Sequence, residues 1–103
     1  MTNLVNGQTW VEVWQRNFLI PDYMRPGFQR YVDDHILPGS FLTAVLMNNF
    51  MEACAQADVN NELCLRAYAK LLYNEVPSSC YGSPNEVMAW VAKGRREDDE
   101  KPV

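Results

Sequence analysis

The sequence predicts an all-α fold, a compact bundle of four to five helices. Apolar residues between Ile20 and Trp90 recur at helical spacing. Three stop-start signals divide that run: Leu37-Pro38-Gly39-Ser40, Asp58-Val59-Asn60-Asn61, and Val76-Pro77 through Gly82-Ser83-Pro84. The 103 residues are 48% hydrophobic and 12% aromatic, too apolar for disorder and enough for one core. The organisation is then an N-terminal arm over residues 1–8, one helical domain over 9–94 and a charged flexible tail over 95–103.

Thr9-Trp10-Val11-Glu12 fits a capping box, with the Thr9 hydroxyl at the N-cap and Glu12 three positions on. Trp10, Trp14 and Phe18 follow at i, i+4 and i+8, which predicts a short helix over residues 10–18 with one aromatic face. Val11, Val13 and both tryptophans also favour β structure, and Asn6-Gly7 suits a tight turn. A short N-terminal hairpin is the alternative. Pro21-Asp22 then punctuates, and Met24, Phe28, Tyr31, Val32 and His35 share one helical sector. Pro26-Gly27 interrupts that sector, so the segment is either a kinked helix or a turn with a helix starting at Pro26. Gly27 would also let a neighbouring backbone come close.

Ser40 reads as the cap of a long central helix over Phe41–Ala57, whose broad apolar sector places it in the middle of the bundle. Asn48, Asn49 and Glu52 fill its remaining arc. Asn60 or Asn61 caps the next helix, carrying Leu63, Cys64, Ala67, Tyr68, Leu71, Leu72 and Glu75. Ser83 at N-cap, Pro84 at N1 and Glu86 at N3 start a last helix that ends at Gly94.

Composition removes several function classes. No run of eighteen or more apolar residues exists, so no membrane span is expected. Met1–Gly7 lacks a basic stretch followed by an apolar one, so no signal peptide is expected. The net charge of −4 and scattered Arg and Lys disfavour a phosphate backbone as partner. Cys54, Cys64 and Cys80 are odd in number, which points to free thiols in a reducing compartment. Their spacings of ten and sixteen residues match no zinc pattern, and His35 is the single histidine. Cys54 and Cys64 read as buried helix residues, and Cys80 as a loop residue that is more exposed. Asp33 and Asp34 beside His35 leave a helix on different faces, so they make no base-and-orienter pair. Gly82-Ser83-Pro84 lacks the lysine of a phosphate loop. No catalytic residue, metal or cofactor is expected, and the chain is not read as an enzyme.

The strings Ile20-Pro21-Asp22-Tyr23-Met24, Arg30-Tyr31-Val32 and Pro38-Gly39-Ser40-Phe41-Leu42-Thr43-Ala44-Val45-Leu46 resemble a recurrent family of small proteins of tailed bacteriophages and prophages. Leu72-Tyr73-Asn74, Cys80, Gly82-Ser83-Pro84 and Trp90 complete the resemblance, which covers residues 19–92. The family carries no assigned activity. The resemblance implies a product made in the host bacterial cytoplasm, and by analogy of setting an accessory protein that binds a host or antiviral-defence protein.

The binding candidates are Trp10, Trp14, Tyr23, Asn48, Asn49, Glu52 and Tyr73. Large aromatics are the usual anchors of protein interfaces, and this chain has more of them than a small core absorbs. Trp10 is the expected anchor of a partner-binding or self-association surface over residues 8–18; the competing reading puts Trp14, Tyr31, Tyr68 and Trp90 in the core. The expected function is non-catalytic protein binding that inhibits or redirects a host protein. The alternatives are an oligomer that sequesters a nucleotide signal, short of basic residues for that task, and an acidic mimic of nucleic acid.

Overall fold

Side-chain caps at Thr9, Asn49, Asp58 and Ser83 start four of the helices in this chain, and those at Thr9 and Ser83 were visible in the sequence. The computed structural model describes residues 4–100, with side chains to Gly94. Seven α-helices follow in order: α1 (Trp10–Arg16), α2 (Arg25–Asp34), α3 (Ser40–Leu46), α4 (Phe50–Gln56), α5 (Val59–Glu62), α6 (Leu65–Glu75) and α7 (Pro84–Glu100). Two 3-10 turns, Asp22–Met24 and Ser78–Cys80, precede α2 and α7. The fold is all-α.

Both readings of the N-terminus hold in part. The Thr9–Glu12 capping box is formed and starts α1. Ahead of it Val5 and Gln8 exchange backbone hydrogen bonds of 2.8 and 3.1 Å around Asn6-Gly7. Asn6 and Gly7 both take positive φ, 50° and 82°, as a two-residue reverse turn requires. The bridge is isolated, so it makes a turn and no hairpin. α1 stops at Arg16, not residue 18, and Phe18 leaves the aromatic face with 71% exposure.

The expectation for Trp10 is overturned. Trp10 and Trp14 are buried, stacked at 5.6 Å between ring centroids, and Phe28 of α2 meets both edge-on. Their indole N–H groups donate to Asp33 Oδ2 at 2.8 Å and Gln29 Oε1 at 2.7 Å. Two tryptophans one turn apart on α1 thus meet two acceptors one turn apart on α2. Burial of this kind is stable because the polar tip of each ring is satisfied.

The long central helix divides. Asn48 adopts a left-handed φ of 61°, and the Asn49 side chain accepts from the Glu52 N–H to start α4. Asparagine tolerates the left-handed region better than most residues, and its side chain is a good cap. The broad apolar sector of residues 41–57 therefore belongs to two short helices. Ser40 is the first helical residue and Gly39 the N-cap, without a side-chain cap. Downstream, Asp58 and not an asparagine caps α5, by accepting from the Asn61 N–H. Asn61 is buried and takes the Tyr68 hydroxyl at 2.6 Å.

α2 begins after a turn, as one of the two readings of Pro26-Gly27 has it. Gly27 has no close backbone neighbour; the close approach lies at Gly94. Gly94 does not end α7. A Cβ there would stand 2.9 Å from His35 Cβ and 3.4 Å from the Asp34 carbonyl oxygen. The helix passes the C-terminus of α2 at that point, where His35 has a left-handed φ of 61°. Residues 95–100, expected in a charged tail, continue α7, and residues 101–103 lie outside the described part.

The core centres on Phe28, Tyr31, Leu46, Tyr68, Leu71 and Val87. Tyr31 donates its hydroxyl to the Cys80 carbonyl at 2.7 Å, and Trp90 donates to the Tyr31 carbonyl at 2.8 Å. Among the described residues no buried side-chain N or O lacks a hydrogen-bond partner.

Candidate functional site

The break between α3 and α4 shapes the surface. The Asn48 and Asn49 N–H groups reach back to the Val45 and Ala44 carbonyls at 3.1 and 2.9 Å, closing the turn. The chain leaves that turn with Phe50 pointing outward, 67% exposed. Across from α4, α6 carries Tyr73 at 83% exposure. Ala53 on α4 and Ala69 on α6 are too small to fill the space between the helices. The result is an open groove of ≈ 530 Å³, floored by Ala53, Leu65 and Leu72, with Phe50, Tyr73 and Arg66 at its edges. Exposed large aromatics beside an apolar floor are unusual on a lone surface and mark interaction sites.

A second recess of ≈ 410 Å³ lies on the other flank of α6, against the residues that follow α1. Phe18 and Leu19 form its outer wall, and Arg16, Arg66 and Lys70 its charged rim. Arg66 borders both concavities, so the outer face of α6 is a ridge between them. The Asn17 side chain bonds back to the Val13 carbonyl at 2.7 Å, which ends α1 and turns Phe18 outward.

One polar cluster holds this region together. The Glu75 carboxylate, 6% exposed, accepts from Gln8 Nε2 at 2.7 Å, Asn17 Nδ2 at 2.9 Å, and Arg16 at 3.2 and 2.9 Å. Arg16 also donates to the Gln8 side-chain oxygen. The arm, α1 and the end of α6 are thereby tied to one carboxylate. The Arg16 guanidinium, helped by Asn17 and Gln8, holds its carboxyl down at about 2 despite burial.

The residues marked from sequence fall in different places. Asn48, Asn49 and Tyr73 line the first groove. Glu52 stands beside it on α4, where its carboxylate takes the Gln56 amide at 2.8 Å. Tyr23 lies in a smaller groove of ≈ 330 Å³ between the start of α2 and the start of α3, with Arg30, Pro38, Gly39 and Leu42. Its hydroxyl donates to Asp58 Oδ2 at 2.5 Å, which lowers the Asp58 carboxyl and raises the Tyr23 phenol. Trp10 and Trp14 are core residues and leave the site. Phe18, from the surface expected over residues 8–18, stays exposed beside it, and Phe50, Arg66, Leu19 and Lys70 enter it unannounced. The signal for Phe50 was the Asn48-Asn49 pair, which can take a left-handed turn and a cap in succession.

The groups with chemical potential are otherwise engaged. Cys80 is fully buried rather than exposed, and burial pushes its thiol up to about 12. The His35 ring lies against Trp90, tilted by 38° with 4.6 Å between centroids, and its Nδ1 lies 2.8 Å from the Trp90 carbonyl oxygen, a contact that requires a proton on Nδ1. Among the described residues no three His, Cys, Asp or Glu side chains converge as metal ligands, and no helix is long and apolar enough to cross a membrane. Comparison with family models, curated proteins and solved structures finds no match to this chain.

Proposed function

We propose that this chain is a non-catalytic binding protein whose surface beside α6 seats a segment of another protein. The observation that carries the reading is the pair Phe50 and Tyr73, both largely exposed on the rim of one apolar groove. Aromatic side chains lose little conformational entropy on docking and bury large areas, which is why they dominate interface energetics. The resemblance to small phage proteins supplies the setting: a bacterial host protein as partner, in the host cytoplasm, with a component of antiviral defence as the class to test. Binding would inhibit or redirect that protein.

A nucleotide signal fits the groove less well, because Arg66 is the one cation on its lining and several converging donors are needed. Mimicry of nucleic acid is also weak. Asp33, Asp58 and Glu75 already serve Trp10, the start of α5 and Arg16.

The test is affinity capture from bacterial lysate with wild-type protein and with Phe50→Ser and Tyr73→Ser, followed by mass spectrometry. A protein recovered in stoichiometric amount by wild type, and at least about tenfold less by either variant at unchanged melting temperature, is the expected result. Equal recovery by all three proteins, or recovery of nucleic acid or nucleotide alone, would overturn the reading.

A further inference from the structure

We infer that the surface beside α6 takes an acidic amphipathic segment, its apolar side chains lying between Phe50 and Tyr73 and its carboxylates meeting Arg66 and Lys70. This rests on the protein-binding reading above and adds the chemistry of the partner. The argument is one of local charge. The chain as a whole carries −4, yet the two concavities flanking α6 are lined by three cations, Arg16, Arg66 and Lys70, and one carboxylate, Glu75. That carboxylate is saturated by Arg16, Gln8 and Asn17, so it neutralises nothing else.

Among the described residues the ion pairs are Arg16–Glu75 and Arg25–Asp22, which leaves Arg66 and Lys70 without an acidic partner. These two stand one turn apart on the exposed face of α6, a spacing at which like charges disfavour the helix. Tyr73 follows Lys70 by three residues on the same face. An apolar groove edged by Arg66 and two exposed aromatics, with Lys70 one turn further along α6 on the rim of the second recess, is complementary to a segment with alternating apolar and acidic faces. It is the surface into which an amphipathic helix is laid in helix-in-groove recognition. The opposite partner, a basic segment, would leave Arg66 and Lys70 facing like charge, which is strongly disfavoured at an interface. Single-stranded nucleic acid would find the aromatics but few cations to follow its backbone.

The experiment measures fluorescence anisotropy of two labelled helical peptides of about 18 residues, with the same leucine stripe and with Glu or Lys on the polar face. Wild-type protein should bind the Glu peptide at least about tenfold more tightly than the Lys peptide, with the preference shrinking as salt screens the charges. Arg66→Glu with Lys70→Glu should invert the preference, and Arg66→Gln with Lys70→Gln should abolish it. Tyr73→Ser should weaken both peptides.

Equal affinity for the two peptides, no binding of either, or tighter binding of a labelled deoxythymidine oligonucleotide would overturn the inference. So would a wild-type dimer in sedimentation that Tyr73→Ser converts to monomer, since a second copy would then fill the groove. A lysate partner lost with Tyr73→Ser but indifferent to the charge reversal would sink this inference and leave the protein-binding reading standing.

Discussion

Trp10 shows how one side chain's role follows from its surroundings. Its ring is stacked on Trp14, edged by Phe28 and tied to Asp33, with 6% of its surface exposed. Trp10→Ala should therefore cost about 3–5 kcal/mol of stability, read as a drop in denaturation midpoint at unchanged m-value. Glu75 is the second residue on which the N-terminal half depends. Its folded carboxyl titrates near 2 against an ordinary 4.5, because the charged form is the one that Arg16, Asn17 and Gln8 bind. A depressed folded value means that its contribution is complete above pH 4.5 and is lost as the pH falls toward 2. Melting temperature against pH should drop more steeply in wild type than in Glu75→Gln across that window, and Glu75→Gln should be less stable at neutral pH by about 1–3 kcal/mol. Parallel pH curves for the two proteins would contradict this. Spacing after Leu71 and Leu72 puts Glu75 on the inward face of α6, but nothing local in the sequence says what satisfies it. Its donors stand 58 to 67 residues away, so the partners that let a carboxylate sit on that face are not readable from the local pattern.

At the scale of elements, the first and last helix starts were legible, while those between them and the interruptions were not. The Thr9–Glu12 box and the Ser83-Pro84-Glu86 start form as the local rules require, because every bond they need lies within four residues. The break at Asn48 was hidden because apolar periodicity runs through it, and both halves bury residues on the pattern. The same break makes the first groove, so the candidate site was only half legible: Asn48, Asn49 and Tyr73 were marked, and Phe50 was assigned to the core. The end of the last helix failed for another reason. Glycine after an apolar run usually caps a helix, but Gly94 is required by the passage of α7 over His35, a contact between distant parts of the chain. The pair Gly27 and Gly94 tests this. Gly27→Ala meets only an Arg30 nitrogen at 3.9 Å and should stabilise α2 by up to about 1 kcal/mol. Gly94→Ala puts a methyl group 2.9 Å from His35 Cβ and should destabilise by about 1–3 kcal/mol, although alanine is the better helix former. Equal gains at both positions in thermal unfolding would show that α7 does not press on α2.

For the whole molecule, the all-α architecture followed from periodicity and punctuation, while the division of surface from core did not. The aromatic residues expected to reach outward from α1 became the packing between α1 and α2, and the exposed aromatics belong to α4, α6 and the segment after α1. The proposed binding surface thus loses Trp10 and Trp14 and keeps the central residues Asn48, Asn49 and Tyr73. The central claim is that a partner seats against α4 and α6. Amide hydrogen exchange of the protein, free and saturated with the partner recovered from lysate, tests it most directly. Protection should rise across Phe50–Gln56 and Leu65–Glu75 and stay unchanged in α1 and α2. Protection confined to α1, or to the groove between Tyr23 and Gly39, with α4 and α6 exchanging as in the free protein, would contradict it.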